Sequence, residues 1–119
     1  MRNFRELNIW KRSFALVTQV YQLSETFPST EKFGLMLQIR RCAVSIPSNI
    51  AEGCGRNTDK DLLRFLDLSM GSAFELETQL LLAEQLEFIK NQNIAEVINE
   101  LHEIQKMITG FKKSLTANS

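Results

Sequence analysis

Residues 62–83 read LLRFLDLSMGSAFELETQLLLA, and apolar or small side chains recur through this stretch at alternating steps of four and three. The positions that share this spacing are Leu62, Leu66, Ser69, Ala73, Leu76, Leu80 and Ala83. Such a repeat places these side chains on one side of an α-helix, where they form a seam against neighbouring helices. Thr58, followed by Asp61 three residues later, resembles the capping box that begins a helix. We therefore predict a long amphipathic helix here, the third of the chain.

Three more helical repeats lie on either side of this stretch. They contain Ile9, Leu16, Val20, Leu23 and Phe27; then Leu35, Ile39, Cys42, Ile46 and Ile50; and, towards the C-terminus, Ile94, Val97, Leu101, Ile104, Ile108, Phe111 and Leu115. Pro28 separates the first two repeats, and Ser29 or Thr30 is a candidate N-cap for the second helix. No strand pattern appears, so we predict an all-α, antiparallel up-and-down four-helix bundle formed by residues 1–119 as one domain. Pro47 predicts a kink or break of the second helix near residues 43 to 47, because proline lacks the N–H donor.

The composition is that of an ordinary globular protein, with 44% hydrophobic and 24% charged residues in a chain of 119. The 14 basic and 14 acidic side chains cancel, so any binding to nucleic acid must be local. Residues 1–57 carry 8 basic and 4 acidic side chains, whereas residues 58–119 carry 6 and 10, a balance of +4 against −4. This polarity indicates either that the two halves lie together or that copies associate basic face to acidic face. Scattered, solvated charges are the third interpretation.

The sequence also indicates a compartment. No apolar run reaches the roughly 18 residues that a membrane span needs, and Arg2, Arg5 and Glu6 stand where a signal peptide would be apolar. We expect a cytoplasmic protein that does not bind a membrane. Cys42 and Cys54 are too few for a disulfide framework, so we expect reduced thiols.

The second helix carries more apolar surface than one bundle can bury. Leu37, Val44 and Ala51 point away from the row that contains Ile39 and Ile46, by about 160° at 100° per residue. The third helix also has a second row, made of Phe65, Leu68, Ser72, Glu75, Gln79, Leu82 and Leu86. We therefore predict self-association, with Leu37, Val44 and Ala51 in the oligomer interface. The alternative is that helix packing and the kink at Pro47 hide these residues inside a monomer.

Two rows of polar side chains accompany this apolar excess. They are Arg41, Ser45, Asn49 and Glu52 on the second helix, and Ser72, Glu75 and Gln79 on the third. If the rows meet, Arg41 can donate a charge-assisted hydrogen bond to Glu75, and Gly71 would let the helices approach closely. We interpret the rows as a buried polar network that fixes helix register; an active site is the competing interpretation.

Motifs for catalysis, metal binding or phosphate binding are missing from the sequence. His102 is the only histidine, and no nucleophile can be assigned to it, so we expect a surface or partly buried side chain. Cys42 and Cys54 do not have the spacing of zinc ligands. Gly53 and Gly55 lack the lysine and hydroxyl residue of a phosphate-binding loop. We predict a protein without enzymatic activity, and we assign no cofactor and no metal.

Three segments resemble a known family. QIRR at residues 38–41, SIPSNIAEG at 45–53 and GSAFEL at 71–76 look like the signature of the 23S rRNA-intervening-sequence proteins of bacteria, also called the four helix bundle protein family. Phe4, Leu7 and Trp10 agree with the start of family members. The resemblance implies a homopentameric four-helix bundle without established enzymatic activity. The similar accessory variability determinant of diversity-generating retroelements implies a reverse transcriptase and nucleic acid, RNA or DNA, as partners.

Two hypotheses about function follow. In the first, the oligomer is a nucleic-acid accessory protein in which Lys11, Arg12, Arg40 and Arg56 of every copy form a basic ring around the symmetry axis. In the second, the protein is a structural or protein-docking module that offers a groove to a partner and does not bind nucleic acid.

Overall fold

The computed structural model describes residues 2–89 and 94–117. Its helices are α1 (Asn8–Ser24), α2 (Leu35–Cys54), α3 (Asp59–Gln85) and α4 (Ile94–Ala117), and 3₁₀ turns cover Phe4–Glu6 and Ser29–Glu31. No strand occurs in these two ranges, and the predicted all-α four-helix bundle is confirmed. None of the described helices combines the length and the apolar character needed to cross a membrane.

Each helix packs against two neighbours in the order of an up-and-down bundle. α1 and α3 each contact α2 and α4, whereas no Cα atoms of the diagonal pairs α1–α3 and α2–α4 lie within 8 Å of each other in the described ranges. The register of α2 and α3 shows that they run antiparallel. Cys42 lies beside Ser72, and Ile46, one turn further along α2, lies beside Ser69, which precedes Ser72 on α3.

The predicted seams form the core of the bundle. All seven seam positions of α3, from Leu62 to Ala83, are buried. The buried residues of the other helices include Ile9, Leu16, Val20 and Leu23 of α1, Ile39, Cys42, Ile46 and Ile50 of α2, and Val97, Leu101, Ile104, Ile108 and Leu115 of α4. α1 also carries a second apolar row, made of Leu7, Trp10, Phe14, Val17 and Tyr21. Leu7, Trp10 and Val17 pack against the core, whereas Phe14 and Tyr21 are exposed. The core therefore leaves the outer part of this row uncovered.

The second helix begins later than a hydroxyl cap at Ser29 or Thr30 would require. Both residues belong to the 3₁₀ turn, and Gly34 is the N-cap of α2. The Glu31 carboxylate accepts a hydrogen bond from the Leu35 N–H at 3.1 Å. This carboxylate satisfies a free N–H of the first turn and interacts favourably with the helix dipole, so it replaces the expected cap.

The second helix continues through Pro47. The range Leu35–Cys54 is one α-helix, so the predicted break is absent, and the bend expected at this proline stays a prediction. Ser69 of α3 donates a hydrogen bond to the Ile46 carbonyl at 2.9 Å, immediately before the proline. This buried bond ties α3 to the one turn of α2 where proline removes a backbone donor.

The corner between α2 and α3 depends on a glycine. Gly53 is buried in the last turn of α2, where an added Cβ would lie 2.8 Å from Cβ of Phe65. The Thr58 side chain accepts a hydrogen bond from the Asp61 N–H at 3.1 Å, which confirms the predicted cap of α3. The prediction that Gly71 allows close helix approach is wrong for a single chain, because no atom lies within 4 Å of a Cβ added there.

A candidate interaction surface

An apolar groove runs along the outside of the bundle between α1 and α2, and we call it the α1–α2 groove. Its apolar lining includes Phe14, Val17 and Tyr21 of α1, Met36, Leu37, Val44 and Ala51 of α2, and Phe27 and Phe33 between the helices. The larger part, towards Phe33, encloses about 1260 Å³. Phe33 is 83% exposed and Phe14 is 57% exposed. Contiguous exposed apolar surface of this kind is typical of interaction sites.

The three residues predicted for the oligomer interface all line this groove. Leu37 and Ala51 are half-buried, and Val44 is 40% exposed. Their own chain therefore neither encloses them nor leaves all of them in solvent. The outer row of α1 provides the partial cover, because Trp10 stacks on Phe14 with ring centroids 4.8 Å apart beside this part of α2. The exposed apolar surface of α2 is therefore continuous with that of α1.

The rim of the groove is basic. Lys32, Arg40 and Arg41 line it, together with one acidic residue, Glu25. Arg40 is held in place, since its Nε donates to Ser24 Oγ at 2.8 Å and its guanidinium lies 4.4 Å from the centroid of the Tyr21 ring. The composition of the groove is therefore complementary to an apolar segment that carries carboxylates.

The other cations predicted for nucleic-acid binding lie on different parts of the bundle. Arg12 donates two hydrogen bonds to the Glu100 carboxylate of α4, at 2.9 and 2.6 Å. These bonds raise the pKa of the Arg12 guanidinium. Arg56 follows α2, with its guanidinium 4.8 Å from the centroid of the Phe65 ring, and Lys11 is exposed on α1. Within one chain, Arg12 and Arg40 are engaged by protein groups.

The predicted polar rows meet at a shallow notch between α2 and α3, which we call the α2–α3 notch. It is lined by Gln38, Arg41, Cys42, Ser45, Ser72, Glu75 and Gln79. Arg41 and Glu75 are both exposed, and no ion pair joins them. The predicted buried network, with Arg41 bonded to Glu75, is therefore absent from a single chain. The two rows lie at the surface edge of α2 and α3 and not between the helices.

The remaining polar-row residues mostly make local contacts. Ser45 Oγ donates to the Cys42 carbonyl, and Asn49 Nδ2 donates to the Ser45 carbonyl, each at 2.8 Å along α2. Glu52 is exposed at the end of the row. Gln79 Oε1 is buried and accepts no hydrogen bond from the part of the chain that the structure describes. The hydrogen bonds of Ser45 and Asn49 therefore stay within α2 and do not join it to α3.

The two cysteines are free and buried. Cys42 Sγ donates to the Ser72 carbonyl at 3.4 Å and lies 3.5 Å from Glu75 Oε2. Burial, followed by the neighbouring Glu75 carboxylate, raises the pKa of the Cys42 thiol to about 12. A thiol with this pKa is not a nucleophile at neutral pH. Across residues 2–89 and 94–117, no three His, Cys, Asp or Glu side chains are grouped to hold a metal ion.

The sole histidine belongs to a contact between α3 and α4. His102 Nε2 lies 3.0 Å from Glu77 Oε2, and Gln105 Nε2 donates to Glu77 Oε1 at 2.9 Å. The His102 side chain is partly exposed, as expected. Within residues 2–89 and 94–117, no serine or cysteine side chain forms a hydrogen bond with His102. This arrangement joins two helices and provides no nucleophile for catalysis.

The third helix leaves a second apolar surface uncovered, which we call the α3 face. Its exposed residues are Leu68, Phe74, Leu81, Leu82 and Leu86. Sequence reasoning found Leu68, Leu82 and Leu86 in the second row of this helix, but it missed Phe74 and Leu81. The signal that could have found them is their spacing of seven residues, which places two large apolar side chains on the same side of a helix.

Comparison with known proteins agrees with this architecture. A search of curated proteins returns no match. The solved structure of a protein of unknown function from the S23 ribosomal protein family of Bacteroides thetaiotaomicron is similar, with a TM-score of 0.80 and 24% identity over 88% of this chain and 95% of that one. At this identity the likeness shows the fold alone. The model of the 23S rRNA-intervening sequence protein family matches residues 5–110, and the chain therefore belongs to this family.

Proposed function

We propose that this protein is a non-enzymatic helical module that self-associates through the α1–α2 groove and docks a protein partner. The observation that carries the proposal is the groove itself, in which Phe14, Phe33 and Val44 stay exposed outside the core. Each Å² of apolar surface removed from water contributes about 25 cal/mol, so a second molecule on this groove is favoured. The family resemblance implies a homopentamer as the assembly and a reverse transcriptase as the partner.

The absence of a catalytic arrangement in the described residues supports a binding role. The Cys42 thiol stays protonated at neutral pH, and the His102–Glu77 pair faces no nucleophile. The family and the similar solved structure have no activity in their descriptions. The α1–α2 groove combines an apolar floor with a charged rim, which is the usual composition of surfaces that bind other macromolecules.

A nucleic-acid accessory protein is the second candidate. It is favoured by the exposure of Lys11, Arg41 and Arg56, because a symmetric assembly would repeat these cations in every copy. Arg12 and Arg40, two of the four residues first assigned to this role, support it less strongly. Arg12 would have to leave Glu100, and Arg40 would have to leave Ser24 and Tyr21, before either could bind a phosphate.

Light scattering of the purified chain over a range of micromolar concentrations tests self-association. We expect a mass that is a multiple of 13.7 kDa. A second measurement uses Phe14→Gln, which removes an exposed aromatic side chain from the groove and leaves the core intact; it should weaken assembly. Gln22→Ala, at an exposed α1 position outside the groove, is the matched control and should assemble like the wild type. A mass of 13.7 kDa at every concentration overturns the proposal.

Fluorescence anisotropy with generic RNA and DNA at low and at raised salt separates the two candidates. The docking proposal predicts no binding at low salt. The nucleic-acid candidate predicts binding whose affinity falls linearly on a logarithmic salt scale, because phosphate contacts release counterions. In that case the double variant Lys11→Gln/Arg56→Gln should reduce the salt slope, whereas Lys60→Gln/Lys113→Gln, which removes two exposed cations elsewhere, serves as the charge-matched control.

A further inference from the structure

The α3 face is acidic as well as apolar. Residues 65–89 contain Asp67, Glu75, Glu77, Glu84 and Glu87 and no lysine or arginine. Glu75 and Glu84 are exposed on the same helix as the five uncovered apolar side chains. Lys112 of α4 pairs with Asp67, and Lys106 and Lys113 line a pocket together with Phe74. Glu75 lies seven residues from both Leu68 and Leu82, so helical spacing places it on the same side as these leucines. This part of the face is most favourably covered by an apolar surface that carries cations.

The α1–α2 groove has the complementary composition. It combines Phe14, Phe33 and Val44 with the cations Lys32, Arg40 and Arg41. The imbalance of the sequence, +4 in residues 1–57 and −4 in residues 58–119, therefore coincides with two apolar surfaces of opposite charge. They adjoin at the α2–α3 notch, which Arg41 and Glu75 both line. We infer that the α1–α2 groove of one copy binds the α3 face of the next copy, head to tail. This inference rests on the proposed self-association and adds the two surfaces that meet.

One copy can use both surfaces at the same time. No residue of α3 lines the groove. In the described ranges α1 and α3 lie on a diagonal of the bundle, with no pair of their Cα atoms within 8 Å. A contact between two different surfaces repeats from copy to copy, and it closes into a ring when the rotation between copies allows.

A two-fold contact of groove against groove is the competing arrangement. It would bring Arg40 and Arg41 of one copy towards the same cations of the other, at a cost that rises as water is excluded. It would also leave the leucines of the α3 face uncovered. The head-to-tail contact avoids both problems, because it pairs unlike charges and covers both apolar surfaces.

Complementation between two variants tests the inference. Val44→Glu places a carboxylate in the groove, and Leu82→Glu places one on the α3 face; both side chains are exposed, so the core is unchanged. Two acidic surfaces repel each other, so a defective groove cannot bind a defective α3 face. Gln22→Glu adds the same charge to α1 outside both surfaces and is the matched control. Circular dichroism confirms that each variant is folded, and light scattering or native mass spectrometry measures the mass.

We expect each variant alone to have the monomer mass of 13.7 kDa and an equimolar mixture to form a complex of one copy of each. In that complex the intact groove of the Leu82→Glu chain holds the intact α3 face of the Val44→Glu chain. If the wild type is oligomeric and the Leu82→Glu variant has the same mass, the inference is wrong but self-association is not. Loss of assembly in both variants without complementation also overturns the inference. A monomeric wild type overturns the proposed self-association itself.

Discussion

Gly53 and Phe65 approach so closely that a Cβ on Gly53 would lie 2.8 Å from the Cβ of Phe65, and it would also lie 2.9 Å from Leu62 Cδ1. Gly53→Ala must therefore push the end of α2 away from α3. We expect a loss of about 1–3 kcal/mol in the free energy of unfolding, as for other overpacked sites. Urea denaturation followed by circular dichroism measures it.

Gly110→Ala is the matched control for that experiment. Gly110 is exposed in the middle of α4, and no atom lies within 4 Å of an added Cβ. Alanine there should increase the free energy of unfolding by roughly 0.5–1 kcal/mol, because glycine loses more backbone entropy on folding. Equal effects of the two substitutions would contradict the close approach at Gly53.

The pair formed by Arg12 and Glu100 links the first and last helices of the bundle. Glu100→Gln removes the charge from a bidentate contact whose two side chains are 41% and 25% exposed. We expect a loss of about 0.5–1 kcal/mol in the free energy of unfolding at low salt, decreasing at high salt, since solvent screens such pairs. Glu103→Gln, in a more exposed pair with Lys106, should have a smaller effect. A double-mutant cycle with Arg12→Met would show no coupling if the pair contributes nothing.

Acid should weaken the contact between α3 and α4. Hydrogen bonding by Gln105, then by His102, lowers the pKa of the Glu77 carboxyl in the folded state. The resulting stability is complete above the unfolded pKa of glutamate, about 4.3, and is lost as the pH falls from there towards the lower folded pKa. Glu77→Gln should therefore flatten the acid limb of a plot of unfolding free energy against pH, and Gln105→Leu should flatten part of it. Acid limbs that coincide with the wild type would contradict this assignment.

Both thiols should resist modification until the chain unfolds. Burial raises the pKa of Cys54 and, together with Glu75, raises that of Cys42 to about 12, so little thiolate exists at pH 8. A colorimetric thiol reagent should react slowly with the native protein and rapidly in urea, with two thiols per chain. Cys42→Ser identifies the faster site if one reacts first. Rapid modification of Cys42, which lines the α2–α3 notch, in the native protein would contradict its burial.

The predicted buried network shows where reasoning from the sequence stopped. Ser45, Ser72, Glu75 and Gln79 do come together at one notch, since helical spacing and antiparallel order place them there. The pairing of Arg41 with Glu75 did not follow, because spacing determines on which side of a helix a residue lies but not how far that side turns towards solvent. The ion pair that does join two helices is formed by Arg12 and Glu100, which lie 88 residues apart in the chain, too far for helical spacing to indicate the contact.

By itself, the sequence determined the four helices, their antiparallel order and the seam from Leu62 to Ala83. These depend on local periodicity and short connections, and burial of a regular apolar row is the dominant favourable term in folding. Only the tertiary structure decided which apolar residues stay uncovered. Val44 and Phe14 stay exposed in a groove, and the close approach of two helices occurs at Gly53, not at Gly71. The exposure of a side chain depends on the helices beside it, and the sequence of one helix does not specify them.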